Sequence, residues 1–164
     1  MLKFHDAIDS FCEVPDKIGV YIPLTGCRIR CPECNSKWLW EFSGKELTTD
    51  VMDDILSHHK DAEVVILGGG HDYDMLETMF KHIKSKGLLT CWYTGHNKLQ
   101  DWMPLKYLDY IKIGSYQGKP LNDPETNQRF YELRHAYDID GRYKGFVKFN
   151  ITYKFQSIKT DNEN

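Results

Sequence analysis

The chain has 164 residues, of which 41% are hydrophobic and 13% aromatic, and its formal net charge is −3. This composition excludes wholesale disorder, and the length favours one domain. Because phosphate binding needs concentrated positive charge, the lack of a Lys- or Arg-rich run argues against nucleic-acid binding. The sequence has no apolar run near the ~20 residues of a membrane span, so we expect no membrane partner.

The cysteine content indicates a reducing compartment. The five cysteines follow an N-terminal stretch that lacks the apolar core of a signal peptide, which predicts a cytoplasmic location. There, cysteines serve metals or catalysis more often than disulfides. We expect residues 1–157 to form the domain and residues 158–164 to be a frayed tail.

The first predicted strand, residues 18–24, leads directly into a loop with three of the five cysteines. Cys27, Cys31 and Cys34 are spaced C-x3-C-x2-C. Thiolates this close together need a shared soft partner, and thiolate selects zinc or iron–sulfur clusters. Three sulfurs from one loop, with no second C-x2-C, favour a cluster that has one open iron. The open alternative is a zinc loop whose fourth ligand is distant, such as His5, Cys12, His71 or Cys91.

Beyond the cysteine loop, helical and strand patterns alternate. Apolar spacing predicts one helix over residues 47–56, with Thr48 or Thr49 as its N-cap, and a second over residues 75–83 that closes at Gly87. Short apolar runs predict strands over residues 63–67, 88–93 and 108–114. This alternation predicts βαβ units and a parallel sheet. A complete (β/α)8 barrel typically needs ~250 residues. The expected fold is therefore α/β, a partial (β/α) barrel of mostly parallel strands.

Four features follow the carboxyl ends of the predicted strands. They are the cysteine loop, Gly68-Gly69-Gly70, Thr94-Gly95 and Gly114-Ser115. Because sites in parallel sheets form where loops leave those ends, the four features predict one shared pocket.

The C-terminal part of the chain continues from the strand over residues 108–114 into a polar loop. The side chains of residues 126–129 predict the start of a helix. Asp140-Gly141 predicts a hairpin turn, and residues 146–153 partly alternate as a strand does. That exposed strand is expected to be a sheet edge, at which a homodimer could form.

The C-x3-C-x2-C spacing resembles the cluster motif of the radical S-adenosylmethionine enzymes. The resemblance implies that Cys27, Cys31 and Cys34 hold a [4Fe–4S] cluster whose open iron binds the methionyl group of S-adenosylmethionine. Reductive cleavage of that cofactor yields a 5′-deoxyadenosyl radical, which abstracts a hydrogen atom.

The resemblance also implies a cofactor site after the second parallel strand. Gly68, Gly69 and Gly70 stand where the family has a Gly-Gly-Glu-like motif that binds the methionyl amino group. Gly70 replaces the acid here, so either Asp72 or backbone carbonyls take its role. The Thr94-Gly95 turn is expected at the same site.

Further stretches resemble the activating proteins of the anaerobic, class III, ribonucleotide reductases. They are Y-I-P-L-T-G-C before the cluster, Tyr93-Thr94-Gly95, D-Y-I-K-I-G and T-N-Q-R-F-Y, and together they cover residues 18–131. The resemblance implies an activase that installs a glycyl radical on the reductase catalytic subunit. A flavodoxin-like or other low-potential protein would supply the electron.

Two other functions remain open at this point. The first is radical chemistry on a small molecule, as in the deazaguanine-forming branch of the superfamily, which would leave T-N-Q-R-F-Y unexplained. The second is a zinc-stabilised binding module, which would need a fourth protein ligand such as Cys12 or Cys91.

Overall fold

Four parallel strands form the centre of a seven-stranded sheet. The computed structural model describes residues 1–156, in which the elements in chain order are β1 Lys3–Phe4, β2 Ile8–Ser10, β3 Gly19–Pro23, β4 Lys45–Glu46, α1 Thr49–His58, β5 Val64–Gly68, α2 Tyr73–Ser85, β6 Leu89–Tyr93, β7 Tyr110–Ile113, β8 Arg129–Tyr137 and β9 Tyr143–Asn150. Three short 3-10 turns are Lys37–Trp40, Leu105–Tyr107 and Thr152–Phe155.

The sheet order is β2-β3-β5-β6-β7-β8-β9. Strands β3, β5, β6 and β7 are parallel to one another, whereas β2, β8 and β9 pair antiparallel. Strands β1 and β4 form a separate two-stranded sheet. Within residues 1–156, β2 and β9 stand at opposite edges. The α/β class and its parallel centre are thus confirmed, and the sheet is open.

Both helices cover the same face of this sheet. Met52 of α1 and Phe80 of α2 are buried in one apolar cluster with Val65 and Leu67 of β5. The hydroxyl of Thr48 accepts a hydrogen bond from the backbone N–H of Val51 and caps α1 as predicted. Because both crossover helices lie on one side, the other side, here called the inner face, is left for the site.

The inner face is built by the alternate side chains of the same strands. Val64 and Ile66 of β5 and Cys91 of β6 are buried there with Phe130 of β8 and Ile151. Strand β5 is therefore buried on both faces of the sheet, as expected of a parallel strand that lies between two layers. No helix within the described residues is long and apolar enough to cross a bilayer.

The expected helix start at residues 126–129 is wrong, because Arg129 opens β8, which pairs with β7 and β9. Phe130 and Leu133 fall on opposite faces of this strand, and each packs into one of the two cores. The polar side chain that resembled a helix cap instead closes the loop before β8. The hydroxyl of Thr126 donates to the carbonyl of Lys119 at 2.8 Å.

The structure confirms the predicted hairpin and adds two strands near the N-terminus that the sequence did not predict. The hairpin turn at Asp140-Gly141 is confirmed, since it joins β8 to β9. Strands β1 and β2 lie in a stretch that had no predicted element. The expected tail, residues 158–164, lies outside the described residues.

Candidate functional site

The cysteine loop crosses the carboxyl edge of the parallel strands. It leaves β3 after Pro23, and its backbone is pinned by the N–H of Cys27, which donates to the carbonyl of Leu39 at 2.9 Å. A tight turn follows, in which the N–H of Cys34 donates to the carbonyl of Cys31 at 3.1 Å. All three thiols are free and partly buried.

Two of the three cysteines stand near strand ends. A Cβ built on Gly69, just after β5, would lie 3.8 Å from the Cβ of Cys27. A Cβ built on Gly95, just after β6, would lie 3.2 Å from the Sγ of Cys31. Cys34 lines a cavity that Lys112 of β7 also lines. The loop therefore lies at the carboxyl ends of β5 and β6.

The donor set fits an iron–sulfur cluster. Three thiols from one loop match the thiolate ligation of such clusters, in which each sulfur binds a different iron. The backbone N–H of Ser36 points to the Sγ of Cys34 at 3.4 Å, a contact that tunes cluster sulfurs. Within residues 1–156, no three His, Cys, Asp or Glu side chains converge on one metal ion, and this includes the three cysteines of the loop.

The four side chains considered as a distant zinc ligand are dispersed. His5 pairs with the hydroxyl of Ser43, and Cys12 is exposed beside Glu13. Cys91 is enclosed within β6, where burial raises the pKa of its thiol well above the usual value. A neutral, enclosed thiol is a poor ligand.

The fourth candidate, His71, lies beside the cysteine loop, and its Nε2 accepts the backbone N–H of Arg28. Burial, followed by the charge of Arg28, lowers the pKa of His71. The ring is therefore neutral near pH 7 and carries its proton on Nδ1.

The glycine turn after β5 is already tied into the fold. Gly69 has φ +78° and Gly70 φ +87°, a region that favours glycine. The N–H of Gly69 donates to the carbonyl of Tyr93, and its carbonyl accepts the indole N–H of Trp92, both at 2.8 Å. The carbonyl of Gly68 accepts the N–H of Leu24 at 2.7 Å. Each carbonyl retains one further lone pair for a ligand.

Asp72 serves as the N-cap of α2. Its Oδ1 accepts the backbone N–H of Met75 at 3.1 Å, and its Oδ2 is bonded by the amino group of Met1. Both oxygens of this carboxylate are therefore engaged in holding the fold.

The two residues of the Thr94-Gly95 turn have different structural roles. Thr94 is buried, and its N–H donates to the carbonyl of Lys112 at 2.9 Å, which joins β6 to β7. Gly95 approaches the cysteine loop so closely that a Cβ would lie 2.8 Å from the Cγ2 of Ile29. Gly95 thus provides the space in which the loop sits.

Two cavities flank the cysteine loop. The outer cavity, of about 720 Å³, is lined by Cys27 and Arg28 together with His71 and Asp72. The inner cavity, of about 570 Å³, lies on the inner face and is lined by a different set of residues, among them Cys12, Cys34, Tyr93, Lys112 and Gln128. Both volumes suit a ligand of cofactor size.

Sequence reasoning missed Lys112 as a site residue. Its ammonium lies 4.0 Å from the centroid of the Tyr93 ring. Burial lowers the pKa of Lys112 to about 8, although the charge of Cys91 and then that of Cys31 oppose this shift. The sequence signal that could have indicated Lys112 is its position between Ile111 and Ile113, at the end of a strand that is otherwise buried.

The T-N-Q-R segment closes the loop between β7 and β8. The amide of Asn127 donates to the carbonyl of Ser115 at 2.9 Å, and the amide of Gln128 to the carbonyl of Gly114 at 3.1 Å. The guanidinium of Arg129 donates to the carbonyls of Thr126 and Gln128. These side-chain donors are therefore used within the chain.

Residues 17–140 match the model of a family described as the 4Fe-4S single cluster domain. The match covers the three cysteines and all four parallel strands. The chain belongs to this family. A cluster-binding domain is thereby assigned to the segment that carries the cysteine loop.

A curated relative is similar over a shorter stretch. The 7-carboxy-7-deazaguanine synthase of Hyperthermus butylicus is 33% identical over 52 residues, which cover 31% of this chain. The aligned stretch spans 22% of that protein's own length. The cofactors that the family and this relative support are a [4Fe–4S] cluster and S-adenosylmethionine.

Proposed function

We propose that the chain is a radical S-adenosylmethionine enzyme that activates an anaerobic ribonucleotide reductase. The observation that carries the radical chemistry is the cysteine loop lying over the carboxyl ends of β5 and β6, between two cavities. The resemblance of Y-I-P-L-T-G-C and T-N-Q-R-F-Y to activating proteins supports the reductase as substrate. When bound, the cluster and S-adenosylmethionine supply the radical that removes a hydrogen atom from the substrate glycine.

In this proposal the chain's residues bind and orient. Cys27, Cys31 and Cys34 ligate the cluster. The methionyl amino group is bound either by the remaining lone pairs of the carbonyls of Gly68 and Gly69 or by Asp72, whose two oxygens each accept one bond and keep a further lone pair. Either assignment replaces the acid that is missing at Gly70.

The inner cavity is proposed as the place where the reacting glycine enters. It adjoins Cys34, and its lining is mixed, with Tyr93, Gln128 and Leu121 beside Lys112. The sheet does not close between β2 and β9 within the described residues, which leaves one side accessible to a loop of another protein. A complete barrel would restrict that access.

The first test is electron paramagnetic resonance of the anaerobically reconstituted, dithionite-reduced chain. We expect a reduced-cluster signal that changes when S-adenosylmethionine is added, because direct chelation alters the open iron. A signal indifferent to the cofactor would contradict radical chemistry. Addition of the reductase should then yield a protein-bound glycyl radical together with 5′-deoxyadenosine.

Matched cysteine variants sharpen this test. Cys27→Ser should abolish the cofactor-sensitive signal, whereas Cys12→Ser and Cys91→Ser should retain it, because neither thiol ligates in the proposal. Zinc that is bound stoichiometrically by the wild-type chain and released on replacing Cys12 or Cys91 would instead support the zinc-stabilised binding module.

A second candidate function is radical chemistry on a small molecule in deazaguanine formation. It is favoured by the similarity of 52 residues to the 7-carboxy-7-deazaguanine synthase of Hyperthermus butylicus. The two candidates differ in which addition drives cofactor cleavage. Release of 5′-deoxyadenosine that depends on the substrate of that synthase, and not on the reductase, would support this second function.

A further inference from the structure

Lys112 is a cation that faces the cysteine loop and has no ion-pair partner in the described part of the chain. It lies in β7 opposite Tyr93 of β6, one residue before β7 ends. Its ammonium packs on the Tyr93 ring and lines the inner cavity with Cys34. Among residues 1–156 it makes no ion pair, whereas Lys84, on the helix side, is paired with Asp109 at 2.9 Å.

The charged groups near Lys112 form no ion pair with it within residues 1–156. The carboxylate of Glu13, which also accepts the hydroxyl of Ser10, lines the same cavity and acts on the ammonium from beyond ion-pair distance. Cys31 acts on the ammonium as well, whereas burial keeps the thiol of Cys91 protonated. A half-buried ammonium with only aromatic contact is costly unless an anion completes the site.

We propose that Lys112 is the counter-charge of the [4Fe–4S] cluster and raises its reduction potential. The inference rests on the assignment of Cys31 as a ligand under the proposed function. Three thiolates on an oxidised cluster leave one net negative charge, and one electron from the low-potential donor adds a second. A fixed cation nearby stabilises the reduced form more than the oxidised form.

The cluster fits Lys112 better than the carboxylate of S-adenosylmethionine does. Cys31 lies over Gly95 at the end of β6, and β6 is the neighbour of β7. The glycine turn proposed for the methionyl group follows β5, two strands from Lys112, which is roughly 10 Å at the usual strand spacing.

The test is a redox titration of the reconstituted full chain, followed by electron paramagnetic resonance. Lys112→Met and Lys112→Gln remove the charge, Lys112→Arg keeps it, and Lys148→Met is the matched control. Lys148 also contacts a tyrosine ring, that of Tyr131 at 5.1 Å, but it lies on the edge strand β9. Iron content and circular dichroism establish that each variant is folded and loaded.

We expect both neutral variants to lower the midpoint potential by about 59 mV, a tenfold change in the ratio of reduced to oxidised cluster at fixed potential. Lys112→Arg and Lys148→Met should leave the potential near the wild-type value, and the affinity for S-adenosylmethionine should be unchanged in all four. An unchanged potential in Lys112→Gln would overturn the proposal. Lost cofactor affinity at unchanged potential would assign Lys112 to the cofactor carboxylate instead. A chain that fails to activate the reductase but shows the shift would refute the proposed function alone.

Discussion

At the residue scale, the position of the cysteine loop depends on the missing side chain of one glycine, Gly95. Gly95 has no side chain, and this absence lets Ile29 and Cys31 rest on the end of β6. Its φ lies outside the range that only glycine favours, so a larger residue would act through space alone.

Gly95→Ala should therefore reduce the iron bound per chain several-fold. The added Cβ would lie 2.8 Å from Ile29 and 3.2 Å from the Sγ of Cys31. Iron quantification after reconstitution measures the effect. Gly141→Ala is the matched control, because a Cβ there meets nothing within 4 Å, although its φ of +77° costs about 1 kcal/mol of stability. Equal iron content in the two variants would contradict this role of Gly95.

Lys112 gives a second prediction at this scale, on the cluster-free protein. Its lowered pKa means that between about pH 8 and the unfolded value of 10.5 the unfolded state binds more protons, so the free energy of unfolding rises with pH in that window. At pH 7 Lys112 is mostly protonated in the folded state, which therefore bears the cost of partly burying the charge. Lys112→Met should then raise the free energy of unfolding by roughly 1–3 kcal/mol.

Urea denaturation of the cluster-free chain at pH 7 and pH 10 measures this difference. The advantage of the methionine variant should shrink at the higher pH, because the wild-type lysine is largely neutral there. A difference that is independent of pH would show that packing, and not charge, separates the two proteins.

At the element scale, the loop between β7 and β8 is held by its own side chains. Gln128→Ala removes the bond to the carbonyl of Gly114 from a buried position and should lower the free energy of unfolding by about 1–3 kcal/mol. Asn122→Ala, exposed in the same loop, should change it by less than about 0.5 kcal/mol. Chemical denaturation compares them. Unchanged stability with lost activation of the reductase would make Gln128 a recognition residue instead.

Strand β9 is an edge whose charge opposes pairing with a second copy. It carries Lys144 and Lys148, with Arg142 just before it, and residues 142–154 contain no Asp or Glu. Lys144 is offset by Asp138 at 3.6 Å. We expect pairing of two chains along β9 to be disfavoured at low ionic strength and to strengthen as salt screens the cations. Sedimentation velocity over a salt series measures this, and a dimer that weakens with salt would contradict it.

At the scale of the whole molecule, the cysteine loop is separate from the two apolar cores. Neither core contains Cys27, Cys31 or Cys34. Removing the cluster should therefore leave far-UV circular dichroism unchanged. Hydrogen exchange should increase mainly in residues 24–43, with the protection of β5 and β6 retained. Global loss of protection would show that the cluster is part of the folding core.

The sequence alone determined the repeating part of the fold. Alternation between helical and strand periodicity specified α1, β5, α2 and β6 in order, because each pattern is local. The parallel arrangement then followed from the alternation of strands with helices, and it brought the cysteine loop, Gly69 and Gly95 to one edge.

Only the tertiary structure decided what depends on distant partners. Residues 126–129 resemble a helix start locally, but pairing with β7 and β9 makes Arg129 the first residue of a strand. Asp72 follows the glycine turn in sequence, yet its oxygens cap α2 and bind Met1. Lys112 becomes notable only where the fold partly buries it near Cys31 and Glu13 without an ion-pair partner among residues 1–156. Local patterns specify elements, whereas the satisfaction of charges and hydrogen bonds is a property of the assembled chain.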